Sequence, residues 1–242
     1  LHNKERGKVV GNKQNIIKEI KIYIIIVIFL ILTGIGVSLI VKIGIGLGPW
    51  DAVALTFSYL TGLKIGTVGM IFNLLCILGQ FIIEGKKFKK ISFLQILVLL
   101  LIGNVVNYFI YTVFKNLYFN NYFIKFMFIL IGIIFVSFSV SAILVLGKPT
   151  FPLESFCSAV HKKTKISYSK FRQWVDMGII AIITVTTLLF SLPWSLREGT
   201  VLFAILFGPF LGIFMPKIEQ IFEKWGLIDG KSEIEKEIEG IA

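Results

Sequence analysis

The stretch Ile45–Ile65, IGLGPWDAVALTFSYLTGLKI, decides the fold. It opens on glycine and proline punctuation and continues as a helical run of about twelve residues, with Pro49 suited to a first helical position where its missing N–H costs nothing. Twelve residues at 1.5 Å each reach about 18 Å, well short of the roughly 30 Å of hydrocarbon in a bilayer. The segment therefore reads as interfacial or re-entrant. A second stretch has the same build: Lys148–Tyr168, KPTFPLESFCSAVHKKTKISY.

Outward from these two segments the chain is apolar in long blocks, at 22–44, 66–84, 92–114, 123–147, 173–192 and 200–216, the last extendable to 222. Hydrophobic residues fill 56% of the 242 positions and charged ones 16%, against about 25% charged in a soluble domain. Blocks of about twenty apolar residues match the bilayer core. The expectation is an all-α membrane protein of six transmembrane helices in contact with lipid. Its organisation reads as a basic cytoplasmic N-terminus at 1–21, membrane units at 22–115 and 123–222, and a cytoplasmic tail at 223–242. The first block is too long for a signal-peptide core, and no small-residue cleavage site follows it, so it reads as a retained span. The tail, with its KSEIEKEIEGIA, reads as a short mixed-charge helix.

The net charge of +11 does not indicate nucleic acid, because the basic residues lie in short loops between apolar blocks. Assigning loops to alternate sides gives one side twenty Lys and Arg. The other receives only Lys64, Lys115, Lys125 and Arg197, with Lys42 inside the first block. Cytoplasmic loops carry that excess. The expectation is a multi-pass protein of a bacterial inner membrane with both termini inside. With only two histidines a metal cluster has no ligands to draw on, and the two cysteines, Cys76 and Cys157, read as small buried hydrophobes in apolar or amphipathic stretches. No Ser–His–Asp set, HExxH, CxxC or P-loop occurs, so neither an enzyme nor a cofactor is expected.

Sliding the chain against itself by 103 residues superposes the two special segments. Gly34–Gly44, GIGVSLIVKIG, lies over Ser137–Gly147, SFSVSAILVLG, while Pro49 meets Pro152, Asp51 meets Glu154, Thr61 meets Thr164 and Asn73 meets Asp176. Two further residues of shift bring Leu99–Gly103 over Ala204–Gly208. Each unit would be span, short segment, span, span. Three spans are an odd number, so the second unit enters from the opposite side, giving two inverted three-helix repeats.

Candidate residues follow from this plan. Asp51 and Glu154 read either as helix-start carboxylates on a positive dipole end or as a cation or proton site at a cavity lip. Asn73 and Asp176 lie inside spans, where polar groups are costly and face the interior or a wet cavity. Asp176 also stands four residues after Arg172, the spacing of a local ion pair. Asn104 and Asn107 share a helical face and are expected to line the same interior. Gly48, Pro49, Pro149 and Pro152 read as structural hinges. The phenylalanines, 23 in all, read as lipid-facing.

The residues GLGPWDAVALTFSYLTGLKIGTVGMIFNLL, Gly46–Leu75, resemble the YczE/YyaS/YitT family of bacterial integral membrane proteins, in particular its YczE-like branch. Gly-Pro-Trp-Asp after the first span carries the likeness, with Thr61-Gly62 and Gly66 opening the second. The resemblance covers about residues 20–225 and implies a membrane fold, with no substrate and no site residues. Two functions stay open. One is a transporter-like protein for a small solute, working by rocking of one unit against the other. The other is a non-transporting regulatory or assembly partner, or a substrate-capture subunit, of a larger protein complex.

Overall fold

The computed structural model describes residues 2–88, 90–148 and 151–228. Among them it is helical, with no strand. The helices are α1 (His2–Ile43), α2 (Pro49–Thr61), α3 (Ile65–Glu84), α4 (Leu94–Tyr108), α5 (Tyr122–Leu146), α6 (Pro152–Thr164), α7 (Tyr168–Phe190) and α8 (Glu198–Lys224); a π-helical turn, Phe109–Val113, extends α4. Six are long and apolar enough to cross a membrane: Asn15–Ile43, Ile65–Glu84, Leu94–Val113, Tyr122–Leu146, Lys170–Phe190 and Glu198–Lys224. The protein is an integral membrane protein of six such helices. α1 begins well before its apolar block, and α8 runs past 216 despite Pro209 and Pro216 within it. Prolines inside membrane helices are tolerated because neighbours and local adjustment satisfy the freed backbone groups. Pro149 and tail residues 229–242 lie outside the described residues.

Side-chain contacts fix how the ends of the helices meet. At one end Lys148 pairs with Glu19 at 2.5 Å, joining the chain after α5 to the early part of α1. Gln95 donates to Gln80 at 3.2 Å across the α3–α4 turn, and Lys18 and Lys21 lie beside Trp225 and Leu227 after α8. At the opposite end Lys42 near the close of α1 donates to the Lys115 carbonyl at 3.5 Å, and Arg197 before α8 donates to the Gly44 carbonyl at 2.9 Å. Lys18, Lys21 and Lys148 thus gather at the first end and Lys42, Lys115 and Arg197 at the second. α1 and α5 run in opposite directions through the bundle.

The backbone repeats at the interval found in the sequence. α1 ends at Ile43 and α5 at Leu146, each followed by a left-handed glycine, Gly44 (φ 72°) and Gly147 (φ 62°). α2 and α6 have 13 residues each, start on Pro49 and Pro152, and end on left-handed Gly62 and Lys165. α3 and α7 start at Ile65 and Tyr168. Each of these pairs is 103 positions apart. The local hydrogen bonds repeat as well. Ser58 Oγ reaches the Leu63 carbonyl as His161 Nδ1 reaches that of Ile166, and Thr61 and Thr164 each bond back four residues and forward two. Ser38 and Ser141 likewise each bond the carbonyl four residues before them.

α1 and α5 pack against each other at the centre, with α4 beside α1 and α8 beside α5; α3 joins α4, and α2 and α6 bridge α3 to α7. The core follows this order. Ile40, Ile43, Ile45, Ala52, Val53, Ile129, Ile133 and Ile183 form one buried cluster, and Ile26, Leu30 and Ala142–Leu146 with Met215 and Phe222 form a second. Phenylalanines do not all face lipid. The rings of Phe203, Phe156 and Phe135 cover Gly48, Gly79 and Gly36, where a glycine leaves room for an aromatic edge.

Candidate functional site

Non-helical backbone can lie inside a bundle only if its polar groups find partners there. Residues 44–48, between α1 and α2, meet that condition against the first turn of α8. Gly199 N–H donates to the Ile45 carbonyl at 2.6 Å. Thr200 Oγ1 accepts from Leu47 N–H at 3.3 Å and from Arg197 N–H at 3.2 Å. The opening N–H groups of a helix lack partners within it, so loop and helix start satisfy each other. Gly46 sits at φ 120° with the Thr200 backbone N only 2.6 Å from where a Cβ would lie. No other residue type fits there.

This loop delivers the start of α2 to the bundle interior. Trp50 packs on Phe72, part-way along α3, with ring centroids 6.2 Å apart, and Phe57 meets the same ring at 5.3 Å. Thr56 and Ser195 share a hydrogen bond of 2.6 Å on the far side of α2. α6 arrives from the other end: Phe156 lies over Gly79 of α3 and 6.0 Å from Phe171 of α7. Asp51 and Glu154 each occupy the first turn of their helix, where the dipole favours negative charge.

The two carboxylates are close enough for the charge of Glu154 to act on Asp51. Glu154 in turn lies in the field of Arg172 and Asp176, and its carboxylate accepts from its own backbone N–H. Arg172 donates to Asp176 in an ion pair one helical turn apart. Cys76 of α3 and Cys157 of α6 both lie in the field of Glu154 and Arg172. Three carboxyl groups and one guanidinium, each half-buried, thus share one electrostatic neighbourhood built from α2, α6 and α7. Among the described residues no three His, Cys, Asp or Glu side chains are arranged to hold a metal.

The other candidates are placed differently. Asn73 is partly buried, bonds the Gly69 carbonyl at 2.9 Å, and stands one turn before Cys76 on α3. Asn107 accepts from Gly66 N–H at 2.9 Å and donates to Thr67 at 3.0 Å, so it caps α3. Asn104 is exposed and bonds its own helix at Leu100. The structure does not bring Asn104 or Asn107 to the charged cluster, because one caps a neighbour and the other turns outward. Gly48 is the N-cap of α2, and Pro49 and Pro152 stand at helix starts. Sequence reasoning did not single out Arg172, Cys76 or Cys157 for the site. The one available signal was the four-residue spacing of Arg172 and Asp176.

Residues 20–216 match a family of unknown function, DUF6198. The chain belongs to that family. The match spans α1 through most of α8 and so includes Asp51, Glu154, Arg172 and Asp176. Comparison with the curated proteins and with the solved structures gave no match.

Proposed function

We propose that the protein carries a small solute across the bacterial cell membrane, with both chain termini cytoplasmic and the solute path running past Asp51, Glu154, Arg172 and Asp176. The observation that carries this reading is that α2 and α6, both packed between α3 and α7, come from opposite ends and hold Asp51 and Glu154 within reach of each other's charge. Charged groups inside a membrane bundle are expensive and mark ion or substrate pathways. Two units of opposite direction with short helices ending near the middle are a plan of secondary transporters. The kinship of Gly46–Leu75 with the YczE-like branch belongs to the same proposal and adds no substrate. The twenty Lys and Arg assigned to the loops and tails on one side, against Lys64, Lys115, Lys125 and Arg197 on the other, support the orientation.

The test uses proteoliposomes holding a pH-sensitive dye and challenged in turn with sodium ion, ethylamine, an amino acid and a monocarboxylate. At least one probe should elicit flux above empty vesicles. Asp51→Asn and Glu154→Gln should each lower that flux at least tenfold, with unchanged protein in the vesicles. Equal flux in both variants removes the cluster from the path.

A second reading, a non-transporting membrane partner or capture subunit, is favoured by the seam between α7 and α8, which form no extended interface among the described residues. A stoichiometric protein that co-purifies with the chain, together with silence toward every probe, supports this reading instead.

A further inference from the structure

We infer that the protein has a second packing arrangement, in which α7 closes onto the glycine face of α8 while α3 separates from α4. The inference deepens the transport reading and rests on it for its purpose; its test needs no solute. Exchanging α1–α4 with α5–α8 maps almost every helix pairing onto another. α1–α4 corresponds to α5–α8, α2–α3 to α6–α7 and α3–α6 to α2–α7, while α1–α5 is its own counterpart. One pairing breaks the rule. α3 packs along α4, whereas α7 and α8 form no such interface among the described residues.

Residue chemistry accounts for both pairs. Between α3 and α4 the backbones touch at Gly66 and Gly103: a Cβ on Gly66 would strike the Gly103 carbonyl, and one on Gly103 would strike Met70 and come within 2.8 Å of the Gly66 carbonyl. Asn107 and Tyr111 complete the seam by accepting from Gly66 and Ile65 N–H. The α8 positions aligned with Gly103 and Asn107 are Gly208 and Gly212. Both are exposed, and a Cβ on either would meet nothing within 4 Å. Two glycines four residues apart form the surface on which membrane helices approach closely. Among the described residues nothing approaches Gly208 or Gly212. Gln173, aligned with Met70, is exposed on α7.

A chain built of two like units can exchange their conformations at little net packing cost, and packed interfaces switch between discrete arrangements. Closing the α7–α8 seam moves Arg172 and Asp176, both on α7, relative to Glu154. Opening the α3–α4 seam moves Cys76 and Asn73. The exchange therefore reshapes the charged cluster from both sides. Gly212 and Pro216 stand where the first unit has Asn107 and Tyr111, so the closed α7–α8 seam lacks those polar clamps and is the minor state.

The test is disulfide cross-linking of the full chain in nanodiscs, in a Cys76→Ala/Cys157→Ala background. Gln80→Cys/Gln95→Cys reports the α3–α4 seam and Gln173→Cys/Gly208→Cys the α7–α8 seam. The first pair should cross-link at once. The second should cross-link within the chain at least tenfold more slowly, and adding Gly212→Leu should suppress it at least a further tenfold without lowering the melting temperature. No intrachain cross-link at the second pair in folded protein overturns the inference, and so does cross-linking between chains, which makes the seam an oligomer interface. Solute flux without the second cross-link overturns only this inference. The cross-link without flux overturns only the transport reading.

Discussion

The glycines separate into two kinds once their neighbours are known. Gly66 faces a backbone carbonyl of α4, while Gly69, one turn on, faces open space. Gly66→Ala should therefore destabilise by about 1–3 kcal/mol through overpacking. Gly69→Ala should be neutral or stabilise by up to about 1 kcal/mol through helix propensity. Melting of the two variants in the same detergent checks the difference. The pairs Gly44/Gly147 and Pro49/Pro152 were legible in the sequence because turn chemistry is local. Asn107 was not. Its three-residue spacing from Asn104 put both on one face, but nothing in the chain says which neighbour that face meets. Arg172 was visible as the partner of Asp176 and invisible as the neighbour of Glu154, since that approach is made by α6 from elsewhere in the chain.

Helix lengths and starts followed from apolar runs and prolines, and α2 and α6 came out as the short segments expected at 45–65 and 148–168. The route into α2 was not predictable, because it depends on the first turn of α8. Thr200 Oγ1 accepts two backbone N–H groups there, those of Leu47 and Arg197. Thr200→Val keeps the shape and removes the acceptor, leaving the buried Leu47 N–H unsatisfied at a cost of about 1–3 kcal/mol. The expected result is a lower melting temperature, with a new site of proteolysis in residues 44–48. Thr200→Ser retains the acceptor and should melt close to the parent. Equal melting of the valine and serine variants would show that the loop is held by packing alone.

Across the whole molecule, the account stands on two units that run in opposite directions and bring α2 and α6 in from opposite faces. The interval of 103 was readable from scarce polar and turn residues, whereas the unequal closure of α3–α4 and α7–α8 was not, because it is a property of one conformation and both pairs read as apolar helices. Thr61 and Thr164 are matched, exposed and at the ends of α2 and α6. The most direct measurement is labelling of Thr61→Cys and Thr164→Cys, each in the Cys76→Ala/Cys157→Ala background, with a membrane-impermeant maleimide applied to spheroplasts and to inside-out vesicles. The account predicts that Thr61→Cys labels only in spheroplasts and Thr164→Cys only in inside-out vesicles. Labelling of both from the same side would contradict it.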